Sequence, residues 1–300
     1  MKKKTYLFAL MAMVLTLGSC SDNENGIGGE TSKYITVSTS IGNMTRVATD
    51  AKGGQKFEDG DEISVYAWTG APTVAPETSE RVVNNAINKL TNGSWISTPQ
   101  MLWKNNREKH YFIGVYPTAA ISDLSAGEYT FDANKQTESD LLVAVNPDGL
   151  SYNVDEQQPV PLTFTHVMAK LAVNLTYKNQ WGGIPTVEKV VVGNAAKEAT
   201  INYLTKVVTP STTAKEDFSL PEITENTKYV SVIIPQEEVT QLTIVIGGKN
   251  FVYDNGTPFK LESGKITTVN LEVGRDEIKL GDVKITNWED GSTFSGEALN

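Results

Sequence analysis

From Lys33 onward, nearly every apolar run in this chain repeats with period two. KYITVSTSI puts Ile35, Val37, Thr39 and Ile41 on one parity, and DEISVYAW sets Ile63, Val65 and Ala67 against Ser64, Tyr66 and Trp68. KHYFIGVYP, AKLAVNLTY, VEKVVVG, KYVSVIIP, QLTIVIGG, KNFVYD and KITTVNLEV continue the pattern, rich in β-branched and aromatic residues. Successive side chains of a strand point to opposite faces, so alternation of this kind predicts strands. EDGDE, NPDG, NQWGG, IGGKN, DNGTP and ESGK separate the runs and carry the Gly, Asn, Asp and Pro that turns require. TIVIGGKNFVYD is the clearest hairpin, with Gly247, Gly248, Lys249 and Asn250 between two alternating runs. Only Ser79 to Leu90 (SERVVNNAINKL) fits a short helix, and it fits a strand equally well. Many short strands at this spacing predict an all-β protein built of sandwiches.

The segment before Lys33 is different. Lys2, Lys3 and Lys4 precede an almost wholly apolar run, Tyr6 to Leu17, and small residues lead to Cys20, the single cysteine of the 300 residues. Charge, short apolar core and small-residue site describe a secretory signal, here residues 1–19. The run is about a dozen residues, short of the ~20 that span a bilayer. Leu17-Gly18-Ser19-Cys20 resembles the lipobox of bacterial lipoproteins, in which the thiol carries diacylglycerol and cleavage falls just before it. Cys20 is therefore expected to be lipidated and to anchor the chain in the outer membrane. Residues 20–32, polar and Gly-rich with a single Ile, have too little apolar surface to fold and read as a flexible tether.

With Cys20 committed to lipid, no disulfide and no cysteine-based metal site remains, so stability must come from apolar burial. Loss of the signal removes three lysines. The 23 basic residues left from 26 face 36 acidic ones, a net charge of −13. Such a surface repels phosphate backbones and anionic lipid, so nucleic acid is not expected as a partner. About 280 mature residues suit two domains. A boundary falls near PVPLTFTHVMAKLAVNL, dividing residues 33–160 from 161–300. There Leu162, Phe164, His166 and Met168 share one parity, and Ala169, Leu171, Val173 and Leu175 the other. One strand cannot bury both sets on one face without a bulge or a crossover.

Residues able to do chemistry are sparse. His110 and His166 each sit in an apolar strand without a ligand-spaced partner, which reads as hydrogen-bonded core histidine rather than metal ligand or base. Glu58, Asp59, Asp61 and Glu62 lack the spacing of a calcium loop and read as an acidic turn. Glu77 with Glu80, or Asp155 with Glu156, have nothing to place them across a cleft as a glycosidase pair. Trp68, Trp95, Trp103, Trp181 and Trp288 either line a glycan platform or fill the core. Neither catalysis nor a cofactor is expected.

The lipobox, TRVATD followed by FEDGDEISVYAW, the central FTHVMAKLAVNL and the terminal VKITNWEDG together resemble the fimbrillin family of Bacteroidales, the type V pilins. The resemblance implies two transthyretin-like β-sandwich domains in tandem, secretion as a surface-exposed outer-membrane lipoprotein, and assembly with other fimbrial subunits into adhesive fimbriae. It also implies a maturation step, in which an arginine-specific protease cuts after Arg46, leaving Val47 as the new N-terminus and freeing the first strand. A strand from the next subunit then fills the uncovered groove. The C-terminal stretch Asp282 to Trp288, with Val283, Ile285 and Trp288, is the donor strand so implied. It is short, and the polar tail Glu289 to Asn300 has little to plug a groove, which weighs against shaft polymerisation while shaft, tip and anchor roles all stay open. A surface receptor or glycan is a further implied partner. The competing class is a glycan-binding lipoprotein of a polysaccharide-uptake system, which requires aromatic side chains exposed on one face of the second domain.

Overall fold

The computed structural model describes residues 33–42, 56–153, 158–239, 241–254 and 258–288. The described residues, from Lys33 onward, all belong to one compact unit. In chain order the strands are β1 Val37–Ile41, β2 Glu62–Thr69, β3 Val83–Thr91, β4 Ser94–Thr98, β5 His110–Tyr116, β6 Gly127–Thr130 and β7 Leu142–Leu150. There follow β8 Val160–His166, β9 Ala169–Tyr177, β10 Val187–Ala196, β11 Glu198–Asn202, β12 Val207–Pro210, β13 Lys215–Ser219 and β14 Glu222–Thr224. The last are β15 Lys228–Ile233, β16 Gln236–Val239, β17 Leu242–Ile246, β18 Lys249–Tyr253, β19 Phe259–Leu261, β20 Lys265–Val273 and β21 Ile278–Asn287. Two single turns of 3-10 helix, Thr78–Glu80 and Asn179–Trp181, complete the described elements. The protein is all-β, as its alternation predicts.

Seven strands form the largest sheet, in the order β1-β8-β7-β5-β2-β3-β4. A five-stranded sheet (β14-β15-β9-β20-β21), a four-stranded one (β13-β10-β17-β18), a three-stranded one (β12-β11-β6) and the pair β16-β19 make up the rest. The central strands β2 and β5 of the seven-stranded sheet are buried on both faces. Along β2, Ile63, Val65 and Ala67 join one core with Ile35, Val37, Phe112, Leu162 and Phe164. Tyr66 and Trp68, on the opposite parity, join a second core with Val173, Val190, Ile244 and Leu271. Antiparallel sheets commonly leave one face to water, whereas here the polar-looking parity of DEISVYAW is core as well.

The ambiguous segment 79–90 is β3. It is bulged: Asn85 takes a left-handed φ of 56°, and the pairing with β2 shifts register between Val65 and Ala67. The expected hairpin is β17–β18, with Ile246 opposite Lys249 and only Gly247 and Gly248 in the turn, at φ 58° and 72°. Two successive positive φ values make it a two-residue primed turn, so Lys249 and Asn250 belong to the strand. At the expected change of buried face, β8 ends at His166 in the seven-stranded sheet and β9 begins at Ala169 in the five-stranded one. Val167 and Met168 between them are both buried.

Candidate functional site

β1 lies at the edge of the seven-stranded sheet and pairs in parallel with β8, from Val37 opposite Val160 to Ile41 opposite Phe164. Val160 donates its N–H to the Thr36 carbonyl at 2.8 Å, and Gly42 donates to the Phe164 carbonyl at 2.8 Å. On the other side the segment touches the chain after β4, where Ile35 donates to the Met101 carbonyl at 2.9 Å and Trp103 to that of Lys33 at 3.1 Å. Ile35 and Val37 are buried over Val160, Leu162 and Phe164. The Phe164 ring reaches far into this core because Gly114 has no side chain; a Cβ there would lie 2.6 Å from the ring. Phe57 packs edge-on against Trp95, Tyr116 and Phe164. Beside β1 runs a groove of about 680 Å³, walled by Thr36 to Ile41 on one side and by Leu90, Gly93, Ser94 and Trp95 on the other. The Trp95 indole N–H donates across it to the Thr39 hydroxyl at 3.1 Å.

β1 contributes a few backbone bonds and alternate apolar side chains to a core that the rest of the chain completes. Its departure would leave one edge of β8 unpaired above a row of apolar residues, a template for another extended segment.

At the other end of the chain, β21 is the edge of the five-stranded sheet, antiparallel to β20. A register irregularity between Val269 and Leu271 divides it. Before the irregularity, Ile278 and Leu280 pack on the core; after it, Val283 and Ile285 are each 37% exposed, although they oppose Val269 and Thr267, which are fully buried. Trp288 is only 8% exposed. Its ring stacks on His166, with centroids 4.0 Å apart and planes within 5°. The Lys170 ammonium lies 4.3 Å from the centre of the same indole ring. Burial pushes the Lys170 ammonium pKa down, against the pull of Asp140.

The remaining candidates are occupied structurally. His110 is fully buried: its Nδ1 faces the Glu108 carbonyl at 3.1 Å and its Nε2 accepts the Lys104 N–H at 3.1 Å. His166 Nδ1 lies 2.8 Å from Asp140 Oδ1. In EDGDE, Asp61 accepts the Glu58 N–H at 2.7 Å, Asp59 accepts those of Asn92 and Gly93, and Glu62 pairs with Lys89 at 2.9 Å. Glu77 and Glu80 cap the first 3-10 turn. Among the described residues no group of three or more His, Cys, Asp or Glu is placed to hold a metal ion. All five tryptophans are buried or half-buried, so they form no exposed platform. Cys20, Arg46, Val47, Asp155 and Glu156 lie outside the described residues.

A sequence model of the fimbrillin-like family matches residues 45–288. The chain belongs to that family. Solved structures share the fold of this fimbrillin-like chain. A candidate cell adhesion protein of Bacteroides uniformis, 17% identical, superposes with a TM-score of 0.63 over 85% of this chain and 98% of its own. A second, from Bacteroides ovatus, is 18% identical with a TM-score of 0.62 over 85% and 98%. A fimbrial protein of Bacteroides vulgatus, 12% identical, gives 0.50 over 84% and 99%. No curated protein matches the chain. The matched region of this fimbrillin-like chain runs from just before Arg46 to Trp288; it includes the C-terminal strand and the Leu90 to Trp95 wall of the groove, and begins after β1.

Sequence reasoning missed two features of the site. It paired β1 with nothing, and it treated His166 and Trp288 separately. Nothing in the sequence signals the first, and the one signal for the second is indirect: a histidine on the apolar parity of FTHVMAKL.

Proposed function

We propose that this fimbrillin-like chain is a structural subunit of a cell-surface fimbrium, acting in adhesion and assembled by strand exchange after cleavage between Arg46 and Val47. The observation that carries the reading is the position of β1. It precedes Arg46, lies at a sheet edge and covers the apolar row Val160, Leu162 and Phe164 of β8. A single cut after Arg46 separates β1 from every later strand, and the groove then accepts an extended segment of a neighbouring subunit. The Cys20 lipid delivers the precursor to the outer surface and holds it there until the cut. Two acyl chains at about 0.8 kcal/mol per buried methylene suffice for such anchoring.

Low-dose treatment of the mature chain with an arginine-specific protease, which spares Lys52 and Lys56 in the same segment, tests this. The expected product begins at Val47 and forms a ladder of SDS-resistant oligomers, while Arg46→Ala remains intact and monomeric. Oligomers that form equally with Arg46→Ala overturn the cleavage step, and a clean Val47 terminus without oligomers overturns the exchange. N-terminal peptide analysis of the surface form reads the anchor as well, as an acylated Cys20 before the cut and a free Val47 after it.

A further inference from the structure

β21 is an edge strand. It has one neighbour, β20, and beyond its register irregularity Asp282, Val283, Lys284 and Ile285 are all exposed. The residue that follows it is different. Trp288 is buried, its N–H donates to the Gly264 carbonyl at 3.1 Å, and its indole lies flat on His166 at 4.0 Å. Asp140, 2.8 Å from Nδ1 of His166, fixes the plane of that imidazole. Lys170, on β9, sets its ammonium 4.3 Å from the indole centre, within cation–π range. The three groups come from three places: Asp140 just before β7, His166 at the end of β8, and Lys170 in β9. Two of these strands belong to the seven-stranded sheet and one to the five-stranded sheet. Parallel aromatic stacking, a cation on the ring and a carboxylate-oriented partner together form a built receptor for one indole.

We propose that Asp140, His166 and Lys170 form a binding site for the Trp288 side chain that latches the C-terminal strand to its own chain. The latch fastens the exposed end of β21 to the junction of the two sheets, so the strand opens only when the indole leaves. It acts as an autoinhibitory contact: while Trp288 is seated, β21 is unavailable to a neighbour. That last step rests on the strand-exchange reading above, but the latch itself does not.

Hydrogen–deuterium exchange of the full chain tests the two separately. Trp288→Ala is expected to raise exchange across residues 278–287 about ten-fold, since stacking and cation–π contacts together are worth about 1–2 kcal/mol and each 1.4 kcal/mol is ten-fold. Peptides from β2, β5 and β7 should be unchanged. Trp288→Phe, which keeps a stacking ring, should restore most of the protection, and Lys170→Met should lose part of it. Unchanged exchange over 278–287, or a rise of equal size throughout the molecule, overturns the latch. After cleavage at Arg46, Lys170→Met, which weakens the receptor and leaves the donor strand unchanged, should form oligomers faster than the wild type. Local opening of β21 in a chain that never forms oligomers upholds the latch and overturns strand exchange.

Discussion

His110 shows how a single residue links burial to the pH range of the fold. Its ring is fully buried, with the Lys104 N–H pointed at Nε2 and the Glu108 carbonyl at Nδ1. That pattern suits the neutral tautomer carrying its proton on Nδ1, because a second proton on Nε2 would meet another donor. Burial lowers the pKa below 6.5 and outweighs the opposing pull of Glu108, and the Lys104 charge adds a smaller effect in the direction of burial. As pH falls through about 6.5 the unfolded chain takes up a proton that the folded one refuses, so stability is full above that pH and declines below it. One such group changes stability by at most about 1.4 kcal/mol per pH unit. Urea unfolding of His110→Gln, which keeps an acceptor for Lys104 but does not titrate, should fall less between pH 7 and pH 5 than wild type. Equal losses in the two proteins would remove His110 as a source of the pH dependence.

At the scale of elements, β3 explains why part of the fold was hidden. Its buried apolar residues are Val83, Ala86 and Leu90, spaced three and four apart as on a helix, because the bulge at Asn85 switches the strand from odd to even parity. Read without the bulge, the segment is ambiguous; read with it, the alternation is restored. Asn tolerates left-handed φ better than other non-glycine residues. Asn85→Gly should therefore cost less than about 1 kcal/mol, whereas Asn85→Val should cost about 2 kcal/mol or more by forcing a β-branched residue to φ 56°; thermal denaturation distinguishes the two. The β17–β18 hairpin was legible because its determinant, a pair of glycines, is local. The face change after His166 was legible because parity itself records it. β1 on β8 was not legible, since pairing such as Ser40 with Thr163 spans 123 residues, and nothing within either strand names its partner. The latch was hidden for the same reason: Trp288 announces burial in the sequence, but not against which ring.

The whole molecule raises the question of whether its two halves are independent. Period-two alternation suggests separate sandwiches, each closing on its own core, with a division near residue 160. The sheets are tied more closely than that. β8 starts at residue 160 and runs into the second half yet pairs with β1 and β7, while β6 of the first half pairs with β11 of the second. Tyr66 and Trp68 project from β2 into the core that holds Val173, Val190, Ile244 and Leu271. Tyr66 is further fixed there by the Ile121 N–H, which donates to its hydroxyl at 2.9 Å. A core shared in this way couples the stability of the sheets on either side of it. We expect a single unfolding transition, in which fluorescence and far-UV circular dichroism change together in urea, although chains of this length often unfold in stages. Trp68→Ala should cost about 3–5 kcal/mol and lower the midpoint seen by both probes equally. A transition that splits in two, with the Trp68→Ala effect confined to one part, would show that each half folds on its own core and that the shared layer is only contact. In that case loss of β1 would loosen the first half alone. If the transition stays single, removing β1 draws on the stability of the entire subunit, which is what an incoming strand would have to restore under the proposed exchange.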